Sequence, residues 1–146
     1  MIERLYTGGT NGLSLRQFSH AVQGAGIDLV LDTRRHANGQ LAGWAKADTL
    51  RFVLELVGVR YLPALIFAPT AELLAAYRRG ELTWPAYATA YQTSLDQLPP
   101  DVLTVFGNAR RPLLLCTEQV GKPCHRHLLA AWLAAQLGVL ADEVMV

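Results

Sequence analysis

The side chains best suited to chemistry fall in three short groups, two of them late in the sequence. Cys116 and Glu118 follow an apolar run, and Cys124, His125 and Arg126 come shortly afterwards. A thiol can act as a nucleophile, carboxyl and imidazole groups can transfer protons, and a guanidinium can bind phosphate or carboxylate. The late segment therefore offers two kinds of chemistry, thiol catalysis and the binding of an anion.

The third group, Asp32, Arg34 and Arg35, follows an apolar run early in the chain. A carboxylate paired with a guanidinium stays ionised and accepts protons poorly. We therefore expect Asp32 to hold Arg34 or Arg126 in place rather than to act as a general base. Arg34 and Arg35 either clamp an anionic ligand or are solvated. Gly9, which ends the first apolar run, completes the expected ligand-binding residues.

Cys116 stands where a sulfurtransferase or a cysteine phosphatase carries its nucleophile, at a strand end that precedes an anion-binding loop. In those enzymes an arginine returns within about one tight turn, whereas here nine residues separate Cys116 from Arg126 and Pro123 interrupts the loop. We therefore favour a buried, inert Cys116. We also expect both cysteines to be reduced, because a single pair in a chain of intracellular character is more often reduced than bridged.

Two further residue types in these groups could transfer protons. For Glu118 the sequence favours neither of two roles, acid–base catalysis or solvation as a loop side chain. Among the histidines, only His125 is expected to act, by donating to a phosphate or by shuttling a proton. No partner is visible in the sequence for His20, His36 or His127.

A helix is predicted to begin near Cys124. The N–H groups and the positive dipole end of a helix start favour a phosphate, sulfate or carboxylate between Cys124 and Arg126, and the same field would lower the pKa of the Cys124 thiol. Cys124, His125 and His127 could also supply metal ligands, but their spacing matches no zinc pattern. No metal or other cofactor is therefore predicted.

The rest of the sequence alternates short apolar runs with amphipathic stretches. The apolar runs predict strands at 2–7, 27–31, 59–62, 112–116 and 144–146. The predicted helix starts are Ser14, Asp48, Thr70, Thr83 and Cys124, with a short helical turn after Pro99.

Strand and helix in repeated succession predict right-handed crossovers and a parallel sheet. We therefore expect an α/β fold, with a mostly parallel sheet flanked by helices in a Rossmann-like three-layer arrangement, and a single domain over residues 1–146. The carboxyl ends of parallel strands lie at one edge of the sheet, where ligands of such folds bind. The residues Gly9, Asp32 to Arg35 and Cys116 to Arg126 should meet at that edge.

Composition limits the classes of partner. With 51% hydrophobic and 17% charged residues, the chain suits a buried, layered fold. No apolar run approaches the roughly 20 residues of a membrane span and no secretory signal begins the sequence, so we expect a soluble cytoplasmic protein without membrane contact. The net charge of +1 argues against nucleic acid. A small anionic molecule is the expected partner, and the oligomeric state is left open.

Several stretches of this chain are similar to motifs of one known family. Leu5 to Gly9 with Ser14 to Phe18 looks like its opening turn and helix, and Gly26 to Arg34 looks like its "GIDLVVDVR" strand. Most specific are Leu114 to Glu118 and Cys124 to Arg126, which are similar to its "LLCxE" and "CHR" pair. By these motifs the chain resembles, over nearly its whole length, the family called domain of unknown function 488 (DUF488).

The resemblance implies an α/β fold and a set of polar signature positions, but no settled activity. Those positions are Asp32, Arg34, Cys116, Glu118, Cys124, His125 and Arg126. The chain departs from the family pattern in having Thr33 where valine is usual and in lacking a Leu-Gly-Gly segment in its middle region. What that segment contributes to a ligand site is therefore not carried over to this chain.

The leading hypothesis is a small enzyme or ligand-handling domain that binds a phosphate-bearing or other anionic, nucleotide-like compound at the sheet edge. Arg34 and Arg126 would neutralise the anion, while Asp32 and Glu118 would orient polar groups. Whether a bond is made or broken is left open.

Two alternatives come from other features of the chain. One is a thiol-dependent enzyme of the sulfurtransferase or phosphatase kind that uses Cys116 or Cys124. The other is a non-catalytic interaction module that docks through the aromatic helix Trp84 to Leu95, although we favour core packing for that aromatic face.

Overall fold

A computed structural model describes residues 1–35, 43–116 and 125–143 of the chain. The strands are β1 (Leu5–Gly9), β2 (Leu29–Asp32), β3 (Arg60–Pro63), β4 (Pro112–Cys116) and β5 (Ala141–Glu143). The α-helices are α1 (Leu15–Gly24), α2 (Ala47–Leu56), α3 (Ala71–Arg78), α4 (Trp84–Asp96) and α5 (His125–Leu137). Short 3-10 helices span Gly43–Ala45, Leu65–Phe67 and Pro100–Phe106.

The five strands form one parallel sheet in the order β3-β2-β4-β1-β5. The expected α/β class and three-layer arrangement are confirmed. The register pairs Gly9 with Cys116 and Asp32 with Leu115, so the carboxyl ends of β1, β2 and β4 lie side by side. The polar groups that follow these strands therefore share one edge of the sheet.

Helices cover both faces of the sheet, which is why its central strands are apolar throughout. In β2, Leu29 and Leu31 pack into the hydrophobic cluster that contains α4 and α5, while Val30 packs into the cluster that contains α1 and α2. The chain moves from β1 to β3 with helices on one face and returns to β5 with helices on the other, as right-handed crossovers require.

The helix starts predicted at Ser14, Thr70 and Thr83 are confirmed, whereas the one predicted at Asp48 is not. Ser14 forms a capping box with Gln17, and the Thr70 and Thr83 hydroxyls accept from the first turns of α3 and α4. The cap predicted at Asp48 is wrong, because α2 begins directly after the Gly43–Ala45 turn with Lys46 as its N-cap. Asp48 lies instead in the first turn, where its negative charge interacts favourably with the positive end of the helix dipole.

The closing strand lies earlier than predicted. Gly138, at a φ of +69°, ends α5, and the Leu5 N–H donates to the Leu140 carbonyl at 3.0 Å, so pairing with β1 is already established at Ala141. The structure places β5 at Ala141–Glu143 rather than at 144–146, which lies outside the described residues. No helix in the described ranges combines the length and hydropathy needed to cross a membrane.

Candidate functional site

Thr33 connects the end of β2 to the start of α5. Its N–H and its hydroxyl both donate to the Leu115 carbonyl, at 3.1 and 2.8 Å, and its Oγ1 lies 3.2 Å from Nε2 of His125. The structure therefore brings the segment from Asp32 to Arg35 against the first turn of α5, although 92 positions separate Thr33 from His125 in the sequence.

This contact fixes the tautomer of the His125 imidazole. The Thr33 hydroxyl has one hydrogen, which goes to the Leu115 carbonyl, so towards His125 it can only accept. Nε2 of His125 therefore carries the hydrogen in the neutral ring. Burial, and secondarily the nearby Arg126 guanidinium, lower the pKa of His125 to about 4, so that the ring is neutral at pH 7. Proton donation by His125 near neutral pH, as expected from the sequence, therefore has no support in this geometry.

Asp32 and Arg34 form a buried pair in which each side chain is 1% exposed. Nε and Nη2 of Arg34 donate to the two carboxylate oxygens, each at 2.7 Å, and Nη1 donates to the Ala45 carbonyl at 2.7 Å. The Tyr61 hydroxyl donates to the same carboxylate, and burial followed by the hydrogen bond to Asp32 raises the pKa of that phenol. The expected pairing of Asp32 with Arg34 is thus present, whereas the assignment of both as ligand contacts stays a prediction.

Arg126 and His127 meet Glu143, a carboxylate on the edge strand β5. Nη2 of the fully buried Arg126 lies 3.1 Å from Oε1 of Glu143, and Nε2 of His127 lies 2.7 Å from the same oxygen. Burial alone would raise the pKa of Glu143, but the hydrogen bonds from His127 and Arg126 outweigh it and lower that pKa. Glu143 is therefore an ionised carboxylate that holds two side chains of the first turn of α5.

Neither Glu143 nor Tyr61 was predicted as a site residue, and His127 was considered only as a metal ligand. Once β5 is placed at Ala141–Glu143, the crossover of α5 puts Glu143 beside the helix start, so the missing signal was the position of the closing strand. In β3 the buried Tyr61 lies between the exposed residues Arg60 and Leu62, so its side chain faces the interior. A buried phenol hydroxyl needs a hydrogen-bond partner.

Arg35 and Gly9 are the other predicted ligand contacts in the described part of the chain. Arg35 is partly buried, and its Nε donates to the Pro69 carbonyl at 2.8 Å. Gly9 is buried at the end of β1, opposite Cys116. Both lie at the carboxyl edge of the sheet, and their binding roles stay predictions.

Cys116 is disulfide-bonded in the structure and 4% exposed. The expectation that it is reduced is therefore wrong for this structure, and Cys116 as it stands here is not a thiol nucleophile. The reason for the expectation was cellular compartment, which says nothing about how closely two thiols approach. The other cysteine of the sequence, Cys124, and the predicted site residue Glu118 lie outside the described residues.

The aromatic face of α4 packs within the chain. Tyr87, Tyr91 and Leu95 are buried, and Trp84 stacks on Tyr87 with ring centroids 5.5 Å apart. Tyr91 also meets the His125 ring edge-on at 5.7 Å. The favoured core role of this face is confirmed, and the hypothesis of an exposed aromatic docking helix loses its support.

Two further observations concern ligands. Within residues 1–35, 43–116 and 125–143, no three His, Cys, Asp or Glu side chains are grouped so as to hold a metal ion. A groove of about 430 Å³ lies at the opposite edge of the sheet, near the starts of β2 and β3, with lining residues that include Val59, Leu62 and Val105. Its walls are mainly apolar, and Tyr61 lines it, whereas the predicted ligand-binding residues do not.

Comparison with curated proteins and with solved structures gave no match. A family model described as domain of unknown function DUF488 matches residues 14–133 of the 146-residue chain. The matched region contains both the β2 end and the start of α5, the two elements that Thr33 joins. The chain therefore belongs to the DUF488 family.

Proposed function

We propose that this protein binds a phosphate-bearing or other anionic, nucleotide-like small molecule between the end of β2 and the start of α5. The observation that supports this most is the 3.2 Å contact between Thr33 and His125, because it joins the two segments whose charges and N–H groups suit an anion. Had these segments lain on opposite sides of the molecule, they could share no ligand.

The electrostatics of this edge favour negative charge. The first N–H groups of any helix have no acceptor inside the helix, and α5, with 13 residues, is long enough to carry a full dipole. The described charged side chains at the edge are Asp32, Arg34, Arg35, Arg126 and Glu143, three positive against two negative. An anion would therefore meet a surplus of positive charge.

The three arginines at this edge contribute to anion binding in different ways. Arg34 and Arg126 are buried and held by carboxylates, so they contribute to the field and to the shape of the site. Arg35 is partly exposed and uses Nε for the Pro69 carbonyl. Among the described residues its two terminal nitrogens make no hydrogen bond, so they can donate to a ligand. Arg35 is accordingly the arginine that we expect to contact the anion directly.

Thermal unfolding in the presence of sulfate, phosphate and nucleotides tests the proposal. A ligand at about 100 times its Kd stabilises the native state by about 2.7 kcal/mol, which corresponds to a rise in Tm of roughly 5–10 °C for a chain of this size. The variant Arg35→Gln should lose most of that rise. The control Arg79→Gln, at an exposed arginine paired with Glu81, should keep it.

The control also separates specific binding from general salt effects. Sulfate stabilises most proteins because it is excluded from their surfaces, and that effect would be equal in both variants. No nucleotide- or anion-dependent rise, or an equal rise in Arg35→Gln and Arg79→Gln, would count against an anion site at this edge.

A further inference from the structure

We propose that two copies of this chain associate through the outermost strand, β3, and the groove beside it, with Glu55 of each copy paired to Arg60 of the other. This β3 surface consists of β3, the end of α2 and the groove residues Gly58, Val59, Leu62 and Val105. It includes none of the residues proposed to bind the anion, so the inference does not depend on the proposed function.

Exposed apolar side chains are concentrated along this surface. Of the eight large hydrophobic residues that are exposed in the described ranges, six lie between positions 52 and 66, namely Phe52, Leu56, Val57, Leu62, Leu65 and Ile66. At 36–70% exposure they present on the order of 500 Å² of apolar surface. A standard dimer interface buries about 800 Å² per partner, so these side chains alone supply more than half of that area.

The apolar side chains of α2 are continuous with the groove. Glu55 lines the groove, and Phe52 lies one helical turn before it on the same face of α2. On the β3 side, Leu62 both lines the groove and is exposed. A second copy could therefore cover the end of α2 and β3 at the same time.

Two opposite charges line the groove without pairing inside the chain. Glu55 and Arg60 are both exposed, and neither forms an ion pair or a side-chain hydrogen bond with another described residue. Arg51, one turn before Glu55, places its guanidinium over the Tyr61 ring, 5.2 Å from the ring centroid. In a two-fold dimer each residue of such a pair meets the opposite residue of the other copy, so two Glu55–Arg60 pairs would form.

The backbone of β3 argues against an extended peptide as the occupant. The N–H groups of Arg60 and Ala64 donate to carbonyls at the two ends of the β2 segment. By alternation along the strand, Tyr61 and Pro63 therefore face the free edge. Pro63 has no N–H, so an added strand could form only a short ladder. Side chains must carry the association, and the self-complementary charges favour a second copy of this chain.

Sedimentation equilibrium at about 1–200 μM tests the proposal, because interfaces of this size have dissociation constants in the micromolar range or below. We expect the unmodified protein to dimerise within this range. Glu55→Arg and Arg60→Glu should each raise the Kd of the dimer at least about tenfold, since two like-charge contacts replace two attractive ones. Glu72→Arg, at an exposed position of α3, is the matched control and should leave the Kd unchanged.

Combining the two charge reversals gives a test that misfolding cannot imitate. An equimolar mixture of the Glu55→Arg and Arg60→Glu variants should dimerise again, because two basic positions of one chain then meet two acidic positions of the other. The double variant Glu55→Arg with Arg60→Glu should also dimerise, with its charges exchanged.

The apolar part of the surface has a separate test. Leu62→Ser should weaken the dimer, whereas Leu140→Ser, at a side chain that is 68% exposed beside β5, should not. A protein that stays monomeric at every concentration overturns the inference. A dimer that both single charge reversals leave unchanged also overturns it, because that dimer would form through another surface.

Discussion

At the scale of single residues, the decisive question at this edge is which polar groups are already satisfied. Asp32 accepts from Arg34 and Tyr61 and is buried, so its carboxylate has little capacity left for a ligand. His125 is a neutral donor to Thr33. Arg35 is partly exposed, and no bond between the described residues uses its terminal nitrogens, which is why the proposed function rests on it.

The buried pair predicts a large cost for removing one charge. Asp32→Asn leaves the Arg34 guanidinium buried without its counter-charge, and we expect a loss of about 3–5 kcal/mol in the free energy of unfolding. Tyr61→Phe removes one hydrogen bond and should cost about 1 kcal/mol. Urea unfolding measures both variants.

The matched control is Asp142→Asn, which breaks an ion pair whose side chains are 40% and 46% exposed. An exposed pair of this kind contributes at most about 1 kcal/mol. Equal losses in Asp32→Asn and Asp142→Asn would mean that the Asp32–Arg34 pair does not behave as a buried one.

The low pKa of His125 makes stability depend on pH. The pKa is 6.5 in the unfolded chain and about 4 in the fold, so between these values the unfolded state binds a proton that the native state does not. The free energy of unfolding should therefore rise from pH 4 to pH 6.5 and level off above it, with on the order of 3 kcal/mol from this residue. His125→Gln should flatten that part of the urea-derived pH profile. If the pH profile of the free energy of unfolding is as steep in His125→Gln as in His20→Gln, this pH dependence does not come from His125.

At the scale of elements, the edge is assembled by the contact between β2 and α5 through Thr33. Thr33→Val keeps the shape of the side chain but removes one buried and one partly buried hydrogen bond, and we expect a loss of about 1–3 kcal/mol in the free energy of unfolding.

Thr104→Val provides the control for that change. The Thr104 hydroxyl makes a comparable bond to the Asp101 carbonyl, at 2.7 Å, but at an exposed position. Its loss should cost within about 0.5 kcal/mol. If thermal or urea unfolding shows no difference between the two valine variants, the bridge does not hold β2 and α5 together.

At the scale of the whole molecule, the sheet was predictable because its signals are local. The apolar runs around Leu31 and Leu114 are buried on both faces, and the helices that begin at Ser14, Thr70 and Thr83 lie where their sequence patterns indicate. The convergence of the strand ends then follows from parallel topology alone. This much of the site, namely which segments meet, could be derived from the sequence.

The pairing of individual side chains could not be derived in the same way. Whether His125 or His127 meets a carboxylate depends on the position of Glu143, and β5 is too short for periodicity to place it. Likewise, the disulfide at Cys116 depends on the distance between two thiols, which residue spacing does not set.

The most direct test of the central claim is sulfate titration of the ¹⁵N-labelled protein followed by NMR. We expect the largest saturable shifts at the amides of Thr33, Arg35, His125 and His127, because the anion lies where β2 ends and α5 begins. Shifts centred instead on the apolar groove near Val59 and Leu62, or no saturable shifts at all, would contradict an anion site at this edge.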